Sequence, residues 1–331
     1  MPLEETRGKI RSVRRLVQVL WSYRVARSST VGYPPYRLWV EPTAACNLRC
    51  TYCPNKELSR QENLGFMRFS LFQKVIDEAR DWVHDINVHH RGEALLHPRF
   101  VDMVNYAGAN GVFTKLHTNA TKLNHEMSEA ILDSSLDLIS FSFDGFEKAT
   151  YERYRRRAKF EVVLDNILEF LRMKQRRGQM KPFTVFETID FPDAEGDFDA
   201  DRRQAFLKRF EGLPVDRFIL KKPHNWGGNV SVDGAMDAGS FLPCTFLWHG
   251  LVVMWDGKVG PCPHDYMGKI VLGDASSEDL TSIFNSLMLR DLRQAMVQRQ
   301  LPEWLPCNEC DTIRRRGVLG LPFQSVKYLK H

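Results

Sequence analysis

The sequence predicts an α/β protein, an incomplete (β/α)6 barrel followed by a small cysteine-bearing domain. Short apolar runs alternate with longer amphipathic stretches over the roughly 190 residues from Arg37 to Trp226, and repeated β-α units imply a parallel sheet covered by helices. A complete eight-stranded barrel takes ~250 residues, so a partial TIM-like barrel fits better. After Asn225 the chain becomes rich in glycine and small polar residues, and four of its 7 cysteines then follow.

The predicted elements follow one another in β-α order. Short apolar runs predict strands, and apolar residues three or four apart predict helices. Ser70 is the expected N-cap of the first barrel helix, and Gly111 follows the end of the second. The predicted strands cover residues 36–40, 85–89, 113–117, 138–143, 183–189 and 217–221, and the predicted helices cover residues 70–83, 98–110, 124–134, 160–177 and 201–210.

The composition is that of an ordinary globular protein, with 43% hydrophobic and 26% charged residues among 331. No apolar run approaches the ~20 residues that span a bilayer, and no secretory signal begins the chain, so we expect a cytoplasmic protein without a transmembrane segment. The net charge of +5 is too modest for a dedicated nucleic-acid surface. We therefore expect no nucleic-acid partner.

Three segments are expected along the chain. Residues 1–35 form a basic amphipathic helix, residues 36–226 form the barrel, and residues 227–331 form the cysteine-bearing domain. The basic helix is expected to pack on the edge of the barrel with its charges in water. A basic amphipathic helix can also lie on a membrane surface, so peripheral membrane contact stays open.

The run EPTAACNLRCTYCPNK carries Cys46, Cys50 and Cys53 in a C-x3-C-x2-C pattern after the first predicted strand. Three thiolates leave one iron of a 4Fe-4S cluster open to bind and activate a ligand. A zinc knuckle or unconnected buried thiols are the alternatives. With Tyr52 before the third cysteine, the loop resembles that of the radical S-adenosylmethionine (SAM) superfamily. The resemblance implies that the cluster binds SAM, takes an electron from flavodoxin or ferredoxin, and releases a 5'-deoxyadenosyl radical.

The resemblance also places SAM contacts at the carboxyl ends of later strands, where ligands gather in such sheets. In HHRGEALLHP, Gly92 and Glu93 are similar to the family's GGE motif, whose glutamate accepts hydrogen bonds from the methionine amino group. Arg91 stands where that motif has its first glycine. The other implied SAM-binding residues are Tyr52, Asn119, Ser142, Asp144 and Arg155. Ordinary salt bridges, turns, helix caps and solvated charges are the structural alternatives for these side chains.

A second set of cysteines follows the glycine-rich segment: Cys244, Cys262, Cys307 and Cys310, with Gly257 in a predicted hairpin turn. Four thiolates close a coordination sphere, and tetrathiolate zinc is the alternative. The arrangement resembles the shortened SPASM domain called Twitch, which implies an auxiliary 4Fe-4S cluster.

The number of cysteines restricts the possible reactions, because the set of three and the set of four together account for all 7 thiols of the chain. No thiol then remains to donate a hydrogen atom, which disfavours epimerisation. The expected reaction is oxidation of a small polar metabolite such as a sugar, aminocyclitol or nucleotide sugar, with the auxiliary cluster as electron acceptor, as in an aminocyclitol dehydrogenase of the family. Such a reaction needs a base, and Lys222 and His224 after the last predicted strand are candidates, although the catalytic residue is unknown.

Two other functions stay open. Relatives of this architecture modify ribosomally made peptides, although the 45 residues before Cys46 are few for a leader-binding domain with its own core. A zinc-binding scaffold without catalysis is the alternative from another class.

Overall fold

The computed structural model describes residues 14, 17–61, 64–191, 200–232, 241–314, 317–318 and 321–322, and every structural statement below refers to these residues. The main feature is a nine-stranded sheet in the order β6-β5-β4-β3-β2-β1-β7-β8-β9. Its strands are β1 (Arg37–Val40), β2 (Asp85–Asn87), β3 (Thr114–Thr118), β4 (Leu138–Ser142), β5 (Phe183–Ile189), β6 (Arg217–Lys221), β7 (Gly250–Val253), β8 (Lys258–Gly260) and β9 (Gly273–Asp274). Strands β10 (Gly317–Val318) and β11 (Leu321–Pro322) form a separate antiparallel pair.

Strands β1 to β6 pair in parallel, each with its neighbour in sequence. Parallel strands need crossover connections, and the connections here carry helices as the sequence predicted. These helices are α1 (Asn55–Gln61), α2 (Phe69–Ala79), α3 (Phe100–Ala109), α4 (His125–Leu132), α5 (Lys148–Tyr154), α6 (Phe160–Arg176) and α7 (Ala200–Leu207), and the C-terminal region adds α8 (Leu280–Ile283) and α9 (Leu287–Gln298). The predicted partial (β/α)6 barrel is confirmed.

The core lies between the sheet and its helices. Leu38, Leu116 and Ile139 of β1, β3 and β4 are fully buried there, and Phe72 and Ile167 meet them from α2 and α6. Burying side chains of this size stabilises the fold by ~1.5–3 kcal/mol each. The opposite face of the barrel strands carries charged and polar groups.

The predicted N-cap of the first barrel helix is wrong. Helix α2 begins at Phe69, its N-cap is Arg68 in extended conformation, and Ser70 lies inside the first turn. The preceding backbone explains the earlier start, because the Met67 N–H donates to the Pro42 carbonyl at 2.7 Å and fixes where the chain turns into the helix. The helix also ends at Ala79, four residues before the predicted end.

The C-terminal region continues the main sheet. Strand β7 pairs in parallel with β1 over four residues, and β8 and β9 follow in antiparallel order. Gly257 makes the predicted hairpin turn between β7 and β8 with φ of +100°, a conformation that favours glycine. The division expected at residue 226 stays a prediction, but hydrogen bonds join the strands on either side of it.

The N-terminal segment packs against the C-terminal region. The predicted basic helix lies partly outside the described residues; residues 17–20 are helical and lead into a π-helical turn at Trp21–Val25. Tyr23 is buried, donates to the Pro243 carbonyl at 2.6 Å and packs edge-on against Trp248. Trp21 is 61% exposed. In the described part of the chain, no helix combines the length and apolarity needed to cross a membrane.

Candidate active site at the carboxyl ends of the strands

The first cysteine loop follows β1 and is half-buried. Cys46, Cys50 and Cys53 are partly exposed, and burial raises the pKa of Cys46 and of Cys50 to about 12, with smaller contributions from neighbouring thiols. Burial also raises the pKa of Cys53. The three thiols lie on one loop and interact electrostatically with one another. Such an all-sulfur donor set suits an iron-sulfur cluster or zinc better than a hard cation.

Gly92 allows the loop after β2 to approach the cysteine loop. A Cβ at this position would lie 2.3 Å from the Thr43 carbonyl oxygen and 2.4 Å from that of Ala45. The Glu93 N–H donates to the same Ala45 carbonyl at 2.9 Å. Only glycine fits this backbone approach, and the SAM contact of Gly92 stays a prediction.

Glu93 is buried and joins two strand ends. Its Oε1 accepts from Thr118 Oγ1 at 2.7 Å and from the Leu95 N–H at 3.2 Å, and its Oε2 accepts from the Asn119 N–H at 2.8 Å. Burial raises the pKa of Glu93 despite these donors. Asn119 Nδ2 points to Cys46 Sγ at 3.9 Å, so the structure brings both predicted residues to the first cysteine.

Asp144 and Arg155 form a second polar group beside the cysteines. Arg155 Nε donates to Asp144 Oδ2 at 2.7 Å, and Asp144 Oδ1 accepts from the Ile189 N–H at 3.1 Å. Burial would lower the pKa of Arg155, but the charges of Asp144 and Cys50 raise it above its ordinary value. Ser142, at the end of β4, pairs with Glu187 on β5. The structure thus gathers these predicted residues at the same end of the sheet.

Tyr52 lies in an aromatic cluster. Its ring is 4.6 Å from Phe191 and 5.7 Å from Tyr154, measured between centroids. Its carbonyl accepts from Trp226 Nε1 at 3.1 Å, which ties the first cysteine loop to the segment after β6. This arrangement fixes the loop, and it leaves the predicted cofactor contact of Tyr52 as a prediction.

Arg91, the departure from the glycine of the GGE pattern, has a structural role. Its side chain is 3% exposed and pairs with Glu41, which is fully buried, through two hydrogen bonds of 2.7 and 2.9 Å. Burial would raise the pKa of Glu41, but Arg91 lowers it. Glu41 directly follows β1, so this ion pair anchors the start of the cysteine loop.

Tyr266 was missed by the sequence reasoning and touches the first cysteine loop. Its hydroxyl donates to the Arg91 carbonyl at 2.6 Å and lies 3.2 Å from Cys53 Sγ. Tyr266 comes from the C-terminal region, 213 residues after Cys53. No periodicity in the sequence signals such a long-range contact.

The concave face of the barrel carries a second group that the sequence reasoning missed. His117 Nδ1 lies 3.3 Å from Glu187 Oε2, and Lys221 Nζ lies 2.7 Å from the same oxygen. These residues come from β3, β5 and β6, so their side chains meet over β4 on one face. Burial would raise the pKa of Glu187, but His117 and Lys221 hold it well below its usual range. His89 stacks on His117 with centroids 4.4 Å apart.

Buried ion pairs also fill the opposite end of the concave face. Asp85 accepts from Arg37 Nη2 at 2.7 Å and from Lys115 Nζ at 2.8 Å. Burial would raise the pKa of Asp85, but these two cations hold it far below its usual range. The interior of the barrel is therefore polar along its length.

The second cysteine set is gathered in the C-terminal region. Cys244 and Cys310 are buried and Cys262 and Cys307 are half-buried. Burial raises the pKa of Cys307 to about 12 and that of Cys244 and Cys262 above their ordinary value, with contributions from the other thiols of the set. The four thiols are separated by up to 66 residues in sequence, from Cys244 to Cys310, and the fold brings them together as an all-sulfur donor set.

The two candidate bases occupy different surroundings. The Lys222 side chain is 81% exposed and pairs with Asp190. His224 is half-buried, and its ring lies 5.1 Å from that of His264 and 5.8 Å from that of Trp226. Their catalytic roles stay predictions.

Comparison with known proteins covers both regions of the chain. Residues 40–189 match the model of the Radical SAM superfamily, and residues 244–311 match the model of an iron-sulfur cluster-binding domain. The chain is 29% identical over 252 residues to the tungsten-containing aldehyde ferredoxin oxidoreductase cofactor-modifying protein of Pyrococcus furiosus, and the match covers 68% of this chain and 70% of that relative.

Two solved structures show the same fold at low identity. SuiB of Streptococcus suis bound to the precursor peptide SuiA has a TM-score of 0.65 at 12% identity, covering 88% of this chain and 72% of that one. BtrN in complex with AdoMet and 2-DOIA has a TM-score of 0.54 at 15% identity, covering 86% of this chain and 94% of that one. These likenesses, with the matched models, confirm the predicted fold class.

Proposed function

This chain belongs to the radical SAM superfamily and carries a C-terminal iron-sulfur cluster-binding domain, and from this premise we propose that it oxidises a small polar metabolite such as a sugar, an aminocyclitol or a nucleotide sugar. Family membership makes the chain an enzyme that uses SAM and iron-sulfur clusters. The zinc-binding scaffold is therefore set aside.

The cluster ligands in this proposal are the two cysteine sets. Cys46, Cys50 and Cys53 hold the SAM-binding 4Fe-4S cluster, and Cys244, Cys262, Cys307 and Cys310 hold one auxiliary 4Fe-4S cluster. When bound, SAM and the first cluster would supply a 5'-deoxyadenosyl radical for hydrogen abstraction, and the auxiliary cluster would supply the electron acceptor for the oxidation.

The SAM pocket is assigned to the strand ends beside the first cysteines. Glu93 retains lone pairs beyond the three donors it already binds and accepts the methionine ammonium. Arg155 is held by Asp144, which orients its remaining N–H groups toward the SAM carboxylate. Tyr52, Gly92, Asn119 and Ser142 complete the pocket.

The structure supports a different base from the two sequence candidates. His117 Nδ1 lies 3.3 Å from Glu187 Oε2, so the carboxylate orients the imidazole, and a base at this position would act through Nε2. His117 lies on the concave face of the barrel, whereas Lys222 is exposed. We therefore propose His117 as the base and Glu187 as its positioning residue.

One observation carries the proposal of oxidation. The 7 cysteines of the chain divide into a set of three on the first cysteine loop and a set of four in the C-terminal region, and these numbers match the ligand numbers of a SAM-binding and an auxiliary cluster. If no thiol donates a hydrogen atom to the substrate radical, the radical becomes a stable product by losing a proton and an electron. The polar concave face, with His117, Glu187 and Lys221, favours a hydroxylated or charged small molecule.

The test is an anaerobic incubation of the reconstituted enzyme with dithionite, SAM and a panel of C-deuterated sugars, aminocyclitols and nucleotide sugars. We expect deuterium in 5'-deoxyadenosine and, for one substrate class, an oxidised product that has lost the transferred deuterium and one further hydrogen, measured by mass spectrometry. His117→Gln should retain deuterium transfer and lower the yield of oxidised product by about 100-fold. A product of inverted configuration in which the deuterium has been replaced by one hydrogen would establish epimerisation instead.

Peptide modification is the second candidate, favoured by the fold shared with SuiB, whose structure contains a precursor peptide. The same assay with peptides encoded near this gene separates the two: deuterium transfer from a peptide and from no small molecule would reject the leading proposal. Under either proposal, the reductant that radical SAM enzymes need is a flavodoxin or ferredoxin, and we place the enzyme in the cytoplasm.

A further inference from the structure

Three metal-ligating side chains that belong to neither cysteine set converge in the structure. His224, His264 and Asp311 each offer one ligand atom, and these atoms all lie within 4.8 Å of one another. His264 and Asp311 are buried and His224 is half-buried. They come from three segments: the loop after β6, the loop after Cys262, and the 3-10 turn Asp311–Arg314.

Asn225 holds two of these segments together. Its Nδ2 donates to the Glu309 carbonyl, and its Oδ1 accepts from the Asp311 N–H at 3.1 Å. One buried amide side chain therefore fixes the backbone of Asp311 beside the residue that follows His224. This bridging contact positions the carboxylate and the first imidazole relative to each other without using either side chain.

Two glycines allow the loop after β6 to approach the segments that carry His264 and Asp311. Gly227 and Gly228 have φ of +63° and +85°. A Cβ on Gly227 would lie 2.9 Å from the His264 carbonyl oxygen, and one on Gly228 would lie 2.6 Å from the Glu309 Cβ. The loop thus lies close to the His264 backbone and to the Glu309 side chain, at two positions whose positive φ favours glycine.

The donor set is that of a transition-metal site. Two imidazole nitrogens and one carboxylate oxygen suit Fe²⁺, Mn²⁺, Co²⁺ or Zn²⁺. Metal bonds of ~2.0–2.2 Å place neighbouring ligand atoms ~3–4 Å apart, so the observed spread needs only small side-chain rotations. Three protein ligands leave positions open for water or for oxygen atoms of a bound molecule.

We propose that His224, His264 and Asp311 bind one divalent first-row transition metal, distinct from both iron-sulfur clusters, with open positions for hydroxyl or carboxylate oxygens of the substrate. The location supports this use. Trp226, between His224 and the glycine turn, donates to the Tyr52 carbonyl of the first cysteine loop, and His264 lies two residues after Cys262. Two of the proposed metal ligands therefore adjoin the second cysteine set in sequence, and Trp226 links the segment of the third to the first cysteine loop.

The test uses the reconstituted enzyme with both clusters oxidised, treated with chelator and then titrated with MnCl₂ alone. Free Mn²⁺ gives a six-line EPR signal that disappears on binding. We expect one Mn²⁺ bound per chain, competed by ZnCl₂, and affinity about 100-fold weaker in His224→Ala and in Asp311→Asn. His125→Ala, on an exposed side chain of α4, is the matched control and should bind as the unaltered chain does.

Iron and sulfide are measured in every variant, because His264 and Asp311 adjoin cluster cysteines. His224 is distant from them in sequence, so His224→Ala decides the outcome if Asp311→Asn loses iron. No Mn²⁺ or Zn²⁺ bound by the unaltered chain, or binding unchanged in His224→Ala, would overturn the site. Neither result depends on SAM cleavage, so failure of this inference is separate from failure of the proposed oxidation.

Discussion

Replacing Arg91 by methionine should destabilise the protein severely. Arg91 and Glu41 are 3% and 0% exposed and share two hydrogen bonds of 2.7 and 2.9 Å. Methionine fills much of the same volume but leaves the Glu41 carboxylate buried without its cation. Breaking one partner of a buried pair costs about 3–5 kcal/mol, so we expect a loss of that size in the free energy of unfolding at pH 7.

A double-variant cycle separates the ion pair from simple loss of packing. Arg91→Met combined with Glu41→Gln leaves no charge buried, and we expect it to recover at least half of the loss, since neutral replacement of a buried pair is often tolerated. The assay is urea unfolding followed by tryptophan fluorescence under anaerobic conditions, at matched iron content. A loss below about 1 kcal/mol in Arg91→Met, or a double variant as unstable as the single one, would refute the reasoning.

The pH dependence of the same pair supplies a second readout. Although burial opposes it, Arg91 lowers the pKa of folded Glu41 below its unfolded value. A depressed carboxylate pKa contributes stability that is present above the unfolded pKa and lost as pH falls through the folded pKa. The unaltered chain should therefore lose this contribution below about pH 4.5, and Glu41→Gln should lose less over the same acid range.

Three further perturbations test the site. Gly92→Ala should displace the first cysteine loop and lower iron from ~8 to ~4 per chain, whereas Gly32→Ala, which meets open space, should keep it; equal iron in both would contradict this. Tyr266→Phe removes the hydroxyl beside Cys53 and should shift the midpoint potential of the first cluster, measured by EPR-monitored redox titration; an unchanged potential would exclude a tuning role. Asp85→Asn should lower the thermal midpoint at pH 7 and flatten its fall toward pH 3, because the folded pKa of this carboxyl is depressed; a midpoint with unaltered pH dependence would refute the pairing.

Local patterns accounted for most of the barrel. Each predicted strand lies within two residues of an observed one, because apolar alternation reports which side chains face the core. Helices α1 and α5, with the sequences NKELSRQ and KATYERY, were missed because few apolar residues mark a buried face. The pairing of β7 with β1 was also missed, since hydrogen bonding between distant strands leaves no periodic signal.

Some residues of the candidate site could likewise be predicted from local motifs, and others could not. Gly92, Glu93, Asn119 and Asp144 were predicted because each follows a strand in a recognisable short motif. His117, on β3, and the long-range partner of Cys53 on the C-terminal segment were not, because an isolated polar residue in a strand does not reveal what it meets across the barrel. Motifs identify single loops, whereas the proposed base His117 and the contact of Tyr266 with Cys53 depend on contacts between distant segments.

The pairing of β1 with β7 limits how the chain can be cut. β1 is covered by β2 on one side and by β7 on the other, so a truncated version ending near Trp226 would bare a row of N–H and C=O groups along a hydrophobic strand. Uncovered edges of this kind promote aggregation. Expression of the barrel by itself, or exchange of C-terminal halves with a relative, should therefore yield protein that does not aggregate only when a strand equivalent to Gly250–Val253 is included.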